Sequence, residues 1–181
     1  PFVDAHFHMD ATLSYGLPRV NASGTLLEGI ALWGELKPLL TQEALIDRAL
    51  IYCDWAVAKG LLAIRSHVDV CDPRLLAVEA LLEVKRRVAP YLDLQLVAFP
   101  QDGVLRDPQG VEKLKRALAM GVDVVGGIPH FERTMADGAL SVKRPIFSCR
   151  RLTEAHSSGS TTTRIATIAS NRTLPEDSGN S

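Results

Sequence analysis

Two histidines near the beginning of the sequence have the spacing of metal ligands on a β-strand. His6 and His8 close an apolar run and are separated by one residue. Residues i and i+2 of a strand point to the same face, about 6 to 7 Å apart, so both imidazoles can reach one ion. Imidazole suits zinc or iron, and a catalytic ion needs about three protein ligands and an open position. The pair thus predicts part of a metal site, and two histidines on a partly exposed strand are the alternative.

The composition indicates a globular protein and gives no electrostatic reason to expect nucleic acid or a membrane as partner. Of 181 residues, 46% are hydrophobic and 23% charged, and 20 basic side chains against 21 acidic ones give a net charge of −1, which leaves a small neutral ligand open. No apolar run approaches the roughly 18 residues of a membrane-spanning helix. Three widely spaced cysteines, Cys53, Cys71 and Cys149, form no Cys-x-x-Cys pair and are typical of a reducing compartment. We therefore expect a cytoplasmic protein.

The elements that would position these histidines alternate between strands and helices. A long loop follows His8, and loops of this length in compact domains usually carry binding walls or lids. Cap and periodicity signals then mark the helices, among them Thr41 as an N-cap and two Asp-Pro pairs as helix starts. The predicted helices are 27–36, 41–59, 72–88 and 107–120, and the predicted strands end at residue 8 or occupy 61–70, 93–98 and 122–128.

The last three strands follow one another at intervals of about 30 residues, the spacing of the βαβ units that build a parallel sheet. An open doubly wound sheet binds ligands only at its switch point, whereas every strand end of a (β/α)8 barrel faces the catalytic side. No Gly-rich phosphate loop supports the open sheet. Polar residues follow every strand: His6 and His8, His67 and Asp69, Gln101 and Asp102, His130 and Glu132. The predicted fold class is therefore α/β, a partial (β/α)8 TIM-type barrel with about four of its eight units.

Five short motifs follow one another along the first three quarters of the chain. They are Pro-Phe-Val-Asp-Ala-His-Phe-His-Met-Asp at 1–10, Ser-Gly-Thr-Leu-Leu-Glu-Gly at 23–29, His-Val-Asp-Val at 67–70, Ala-Phe-Pro-Gln-Asp-Gly at 98–103 and Ile-Pro-His-Phe-Glu at 128–132. In this order they resemble the N-terminal half of the catalytic barrel in the amidohydrolase superfamily, most closely in its cytosine deaminase branch. The resemblance assigns residues 1–139 to that half barrel and leaves 140–181 as a tail that does not match.

The resemblance implies a single zinc or iron ion, with His6 and His8 as two of its ligands. It also implies that Gln101 pairs with the ring amide edge of a pyrimidine, for which a carboxamide has both a donor and an acceptor. The alternative for Gln101 is a turn residue beside Gly103. A small N-heterocycle is thus the expected substrate.

Three further residues would surround that metal. His67 and Asp69 are predicted as a pair beneath it, since a ligating histidine usually needs an orienting acceptor, and a buried structural hydrogen bond is the alternative. His130 lies where other members of the superfamily place a fourth-strand ligand. The resemblance to cytosine deaminases makes it a neighbour of the site and not a ligand.

Part of the family's catalytic machinery has no match. The fifth-strand motif His-Cys-Asp-Glu, which brings a metal ligand and a proton-shuttling glutamate, is absent from this sequence, as are the later histidine and aspartate, so the catalytic acid–base residues are unknown. From about residue 140 Ser and Thr are frequent, which predicts a disordered or frame-shifted tail without a fifth strand. The free apolar edge of the fourth strand would then favour a homo-oligomer.

The expected function is that of a metal-dependent aminohydrolase that deaminates cytosine or a related N-heterocycle, present as an incomplete and inactive chain. The alternative is a non-catalytic remnant or interaction fragment that keeps the βα units only as a scaffold. A fifth-strand His-Cys-Asp-Glu in another reading frame of the same gene would favour the enzyme.

Overall fold

A parallel β-sheet forms the centre of the chain in the computed structural model, which describes residues 1–143 and 164–165. Its five strands lie in chain order, and each pairs in parallel with the next. The strands are β1 (Phe2–Phe7), β2 (Leu61–Asp69), β3 (Asp93–Phe99), β4 (Val124–Val125) and β5 (Arg164–Ile165). Because every strand runs in the same direction, all their carboxyl ends meet at one edge of the sheet.

Helices connect the strands and lie between them in sequence. They are α1 (Leu26–Leu36), α2 (Gln42–Ala58), α3 (Leu76–Val88) and α4 (Gly110–Met120), and residues 135–143 are also helical. Short 3-10 turns occupy Met9–Ala11, Lys37–Leu39 and Pro129–Phe131. Among the helices of the described residues, none combines the length and the apolar character needed to cross a membrane.

One hydrophobic core lies between the sheet and its helices. Alternate residues of a strand point to opposite faces, and Ile64 and Val68 of β2 are buried in the core together with Leu81 of α3. His67 and Asp69 therefore point to the opposite face of β2 from Ile64 and Val68. This alternation separates the packing residues of β2 from the residues that could do chemistry.

The boundaries of four elements confirm the sequence prediction to within two residues. These elements are α1, α2, β2 and β3. Thr41 caps α2 as predicted, because its Oγ1 accepts a hydrogen bond from Ala44 N at 3.3 Å. Helix caps and apolar runs are local sequence signals, and they are enough to predict the ends of these four elements.

The two Asp-Pro pairs do not start helices, and that prediction is wrong. The Asp72 carboxylate accepts from Arg74 N at 3.0 Å and so closes a turn, and α3 begins later, at Leu76. The second pair behaves in the same way. Asp107 accepts from Gln109 N at 2.8 Å, and α4 follows it.

The fourth strand is shorter than the predicted seven residues. Its ladder with β3 comprises Val124 and Val125 only. On the amino-terminal side Asp123 N donates to Leu96 O at 3.1 Å, but Leu96 N donates to the Asp123 carboxylate at 2.7 Å and not to a backbone carbonyl of β4. On the other side Pro129 begins a 3-10 turn, and a proline cannot donate to a ladder.

The prediction of a tail without a fifth strand is also corrected. Residues 164–165 pair in parallel with β4, with Val124 opposite Arg164 and Val125 opposite Ile165. The free N–H and C=O groups of an edge strand pair with any extended segment, so a Ser/Thr-rich composition does not prevent the contact. Residues 144–163 and 166–181, and with them Cys149, lie outside the described residues. The division of the chain into 1–139 and 140–181 stays a prediction.

Candidate metal and substrate site

Three histidine rings meet at the carboxyl ends of β1 and β2. The ring centroids of His6 and His8 lie 5.4 Å apart, and that of His67 lies 4.1 Å from His6 and 5.5 Å from His8. Ser66 joins the two strand ends, because its Oγ accepts a hydrogen bond from Met9 N at 3.0 Å. The structure brings the two predicted metal ligands together and adds His67 to them.

His67 is the buried member of this histidine cluster, which consists of His6, His8 and His67. It is 1% exposed, and neither ring nitrogen has a hydrogen-bond partner among the described residues. Burial, together with the nearby His6 and His8, lowers the pKa of His67 to about 4, and burial also lowers the pKa of His8. Both rings are thus neutral at pH 7, the form in which imidazole binds metals.

Asp69 does not pair with His67, so the predicted hydrogen-bonded pair is wrong. Its buried carboxylate accepts instead from Trp33 Nε1 at 2.7 Å, Lys37 Nζ at 2.9 Å and Cys71 N at 2.7 Å. Asp69 is the last residue of β2, where α1 and the following turn can reach its side chain. The carboxylate therefore attaches α1 to the strand end and does not orient a histidine.

Lys37 links this strand end to the turn after β3. Its Nζ lies 2.9 Å from Asp69 and 2.7 Å from Asp102, and its side chain is 14% exposed. Burial alone would lower the pKa of Lys37, but the charge of Asp69 and the hydrogen bond to Asp102 raise it. The lysine is a cation shared by two carboxylates, one of which is adjacent in sequence to Gln101.

Asp10 connects the first strand end to the second from within the protein. Its buried carboxylate accepts from Asp69 N at 2.8 Å and from Ala11 N at 3.0 Å. Burial raises the pKa of Asp10 to about 7, against the effect of the hydrogen bond from the Asp69 backbone. The side chain fixes the path of the chain directly after His8.

Gln101 begins the turn after β3, two residues beyond a phenylalanine that contacts the histidine cluster. The ring of Phe99, two residues before it, lies edge-on at 5.5 Å from His8 and 5.4 Å from His67. The backbone N–H of Gln101 donates to Phe99 O at 3.1 Å. Its side chain is partly buried and makes no hydrogen bond within residues 1–143, so the carboxamide is available to a ligand.

His130 is the third residue predicted to surround the metal. It belongs to the 3-10 turn after β4, where it is exposed, and in the described part of the chain no ring contact joins it to the histidine cluster. A place for His130 beside the metal stays a prediction.

The histidine cluster fits a divalent metal in its donor chemistry. Neutral imidazole nitrogens suit zinc and iron, and the buried His67 nitrogens without partners are atoms that a ligand or water normally completes. Within residues 1–143, however, no group of three or more His, Cys, Asp or Glu side chains is arranged to hold an ion. His67 stacks on His6 with 26° between the ring planes, so these rings face each other and not one common ion. His6 and His8 could thus supply two donors, and residues 1–143 do not complete the set.

Sequence reasoning missed two residues that hold the site together. Lys37 precedes a proline at the end of α1, and a lysine in that position gives no signal of a buried ion pair. Glu132 was noted only for its place in the fourth-strand motif, yet its Oε1 accepts from Val104 N at 2.7 Å and Leu105 N at 3.1 Å. The signal that could have revealed this role of Glu132 is its position, a carboxylate just beyond a strand end.

Solved structures of enzymes that act on N-heterocycles share this fold. 5-Methylcytosine deaminase from Klebsiella pneumoniae, liganded with 5-fluorocytosine or with phosphonocytosine, is 48% identical with a TM-score of 0.80, over 83% of this chain and 37% of that chain. N-isopropylammelide isopropylaminohydrolase from Burkholderia multivorans is 25% identical with a TM-score of 0.58, over 83% and 45%. These likenesses confirm the predicted fold class, an α/β chain that forms part of a (β/α)8 TIM-type barrel.

A curated relative agrees with these structures. N-isopropylammelide isopropyl amidohydrolase from Pseudomonas sp. strain ADP is 33% identical over 147 residues, which are 78% of this chain and 36% of the relative. The chain therefore spans between 36% and 45% of the length of these relatives. The amidohydrolase family matches residues 1–175, which is beyond the last of the five motifs. The resemblance seen in the strand-end motifs is thereby confirmed, and the chain belongs to the amidohydrolase family.

Proposed function

We propose that this chain provides the metal-binding and ring-recognition part of a hydrolase that deaminates cytosine or a related N-heterocycle. The observation that carries the proposal is that His6, His8 and Gln101 lie at the carboxyl ends of strands of one parallel sheet, with the ring of Phe99, two residues before Gln101, 5.5 Å from that of His8. The likeness to a 5-methylcytosine deaminase that binds 5-fluorocytosine supports it. Because the chain spans 37% of that deaminase, the activity of a whole protein is itself part of the proposal.

His6 and His8 hold a divalent ion, zinc or iron, in this proposal. When bound, such an ion acts as a Lewis acid and lowers the pKa of a bound water toward about 7. The two histidines contribute nitrogen donors, and the half-enclosed setting comes from His67 and Phe99, whose rings pack beside His8. Apolar and aromatic neighbours exclude bulk water, which strengthens every polar interaction inside the site.

Gln101 recognises the ring. Its carboxamide oxygen accepts from a ring N–H, and its NH2 group donates to an adjacent ring acceptor, so two hydrogen bonds fix the ring in its plane. Deamination also requires a group that moves a proton from water to the departing ammonia. The motif that brings this group in the family is absent from the sequence, and we propose that the chain alone does not turn over.

The experiment is a titration of 5-fluorocytosine with the zinc-loaded chain, followed by the fluorine NMR signal of the ligand. Gln101→Ala should weaken binding about tenfold, because it removes two hydrogen bonds to the ring. Gln42→Ala, at an exposed position in α2, is the matched control and should bind like the unaltered chain. Absence of binding, or equal affinity in Gln101→Ala, would overturn the proposal and favour a non-catalytic scaffold. Metal-dependent release of ammonia from cytosine by the purified chain would overturn its inactivity.

A further inference from the structure

The turn after β3, residues 101–105, has a hydrogen-bond acceptor for each of its peptide N–H groups. The acceptors are Phe99 O for Gln101 (3.1 Å), Cys71 Sγ for Asp102 (3.3 Å), Pro100 O for Gly103 (2.9 Å), and Glu132 Oε1 for Val104 (2.7 Å) and Leu105 (3.1 Å). Three of these five bonds end on side chains outside the turn, and two of the three end on Glu132. A turn whose N–H groups are all bonded holds one conformation.

Glu132 fits closely against the turn because of the glycine at its centre. Gly103 has a φ of 89°, a conformation that favours glycine, and a Cβ built there would lie 3.1 Å from Glu132 Oε2. That oxygen is buried and has no hydrogen-bond partner among the described residues. One oxygen of the carboxylate, Oε1, thus accepts from two N–H donors, and the other, Oε2, packs against Gly103.

A second contact joins the same two segments. Arg106 Nη1 donates to Phe131 O at 3.0 Å, and the guanidinium carbon lies 4.8 Å from the centre of the Phe131 ring. The segment after β4 therefore holds the segment after β3 through both backbone and side-chain groups. Lys37 holds the opposite side of the turn by its ion pair with Asp102.

We propose that Glu132 is a positioning residue for Gln101, and that it fixes the orientation of the carboxamide without touching the substrate. The inference rests on the proposed function, since it concerns the same ring-recognition site. Gln101 is three residues before the first N–H that Glu132 binds, on a turn with no free donor. Loss of the carboxylate releases Val104 N and Leu105 N, and the turn then loses the geometry that presents Gln101. A recognition group that is fixed before binding needs less ordering when the ligand arrives.

The requirement at position 132 is for an acceptor oxygen and not for a charge or a proton. A glutamine side chain keeps the acceptor at the same place, so Glu132→Gln should preserve the turn and Glu132→Ala should not. A residue whose charge is needed for binding would fail in both variants. The conservative variant therefore separates the need for an acceptor from the need for a charge.

The experiment measures 5-fluorocytosine binding by fluorine NMR and amide hydrogen exchange for four forms of the whole 181-residue chain. The forms are the unaltered chain, Glu132→Ala, Glu132→Gln and, as control, Glu112→Ala at an exposed position of α4. Glu132→Ala should raise the dissociation constant about tenfold and speed exchange at Val104 and Leu105, while the amides of β3 keep their protection. Glu132→Gln and Glu112→Ala should stay within about threefold of the unaltered chain.

The outcomes separate this inference from the function on which it rests. Binding by Glu132→Ala equal to the unaltered chain, where Gln101→Ala binds weakly, would overturn the positioning role alone. A Glu132→Gln form as weak as Glu132→Ala would show that the charge is needed, which also overturns it. Failure of the unaltered chain to bind would overturn the proposed function, and this inference with it.

Discussion

His6, in β1, and His8, directly after that strand, are the metal ligands that we propose. We predict that replacing His6 and His8 together by alanine abolishes zinc binding, because these two imidazoles supply the nitrogen donors. Isothermal titration calorimetry of the unaltered chain and the double variant measures the effect. His130→Ala is the matched control, since that histidine is exposed and outside the cluster. Equal zinc affinity in the double variant and the unaltered chain would remove both residues from the metal site.

Lys37 contributes to stability through a buried ion pair. Lys37→Met leaves the Asp69 side chain, which is 3% exposed, without that cation, and unpairing a buried carboxylate costs roughly 3 kcal/mol. We expect a decrease of that size in the free energy of unfolding, measured by urea denaturation. Lys115→Met removes a more exposed pair with Glu112 at 3.6 Å and should change it by less than about 0.5 kcal/mol. Equal effects in the two variants would contradict the assignment.

Glu28 should titrate well below an ordinary glutamate. The Ser23 hydroxyl, the Ser23 N–H and Arg19 donate to its carboxylate and lower its pKa from 4.5 to about 2. Because the folded pKa is the lower one, these bonds stabilise the fold fully above about pH 4.5, and their contribution is lost as the pH falls through about 2. Carboxyl NMR titration measures the midpoint, which Ser23→Ala should raise and Ser14→Ala should not. A midpoint near 4.5 in the unaltered chain would contradict this prediction.

Element boundaries were predictable where a local signal decides them. Thr41 starts α2 because its own hydroxyl caps the helix three residues later. The prediction failed where a side chain bonds a backbone group that sequence pattern does not reveal. Asp72 closes a turn instead of capping α3, and Asp123 shortens β4 by accepting from Leu96 N, 27 residues away. Which N–H group a carboxylate will bond depends on the tertiary structure, so the neighbouring residues in the sequence do not predict it.

Two helical glycines form a matched pair for a test of packing. A Cβ at Gly110, the first residue of α4, would lie 2.2 Å from Val104 O, so alanine must displace backbone and should destabilise the chain by about 1 to 3 kcal/mol. Gly34 in α1 has nothing within 4 Å of that position, and alanine there should stabilise by about 0.5 to 1 kcal/mol. Urea denaturation of both variants should give changes of opposite sign. If both variants changed the free energy of unfolding in the same direction, the first turn of α4 would be able to move enough to accept a methyl group at position 110.

At the scale of the whole chain, periodicity and the 30-residue spacing were enough to predict a parallel sheet with strands in order. They were not enough to predict which strand ends meet. His67 reaches His6 because β1 and β2 pair in the register that sets Phe7 opposite Ser66, and the residue pattern of each strand does not show which residues of the other strand it will face. The pairing of β5 with β4 is likewise a contact that the residue pattern does not show.

The outer edge of β1 is the part of the molecule from which we predict self-association. Within the described sheet β1 pairs only with β2, and Phe2 and Val3 are each 70% exposed. An apolar edge strand is a template for pairing with a second chain, and a lysine on the edge opposes it. Sedimentation equilibrium should therefore show an average mass that rises with concentration, and Val3→Lys should reduce that rise.

Met135→Lys separates edge pairing from apolar exposure in general. Met135 is 89% exposed but lies on a helix and not on the sheet. If edge pairing causes the association, only Val3→Lys reduces it; if exposed apolar area causes it, both substitutions do. Pairing would also slow amide exchange in β1 at high concentration, because the added strand supplies acceptors for its free N–H groups. A chain that stays monomeric would mean that the irregular register of β1, with shifts at Phe2/Val3 and Asp4/Phe7, blunts its edge as β-bulges do in native sheets.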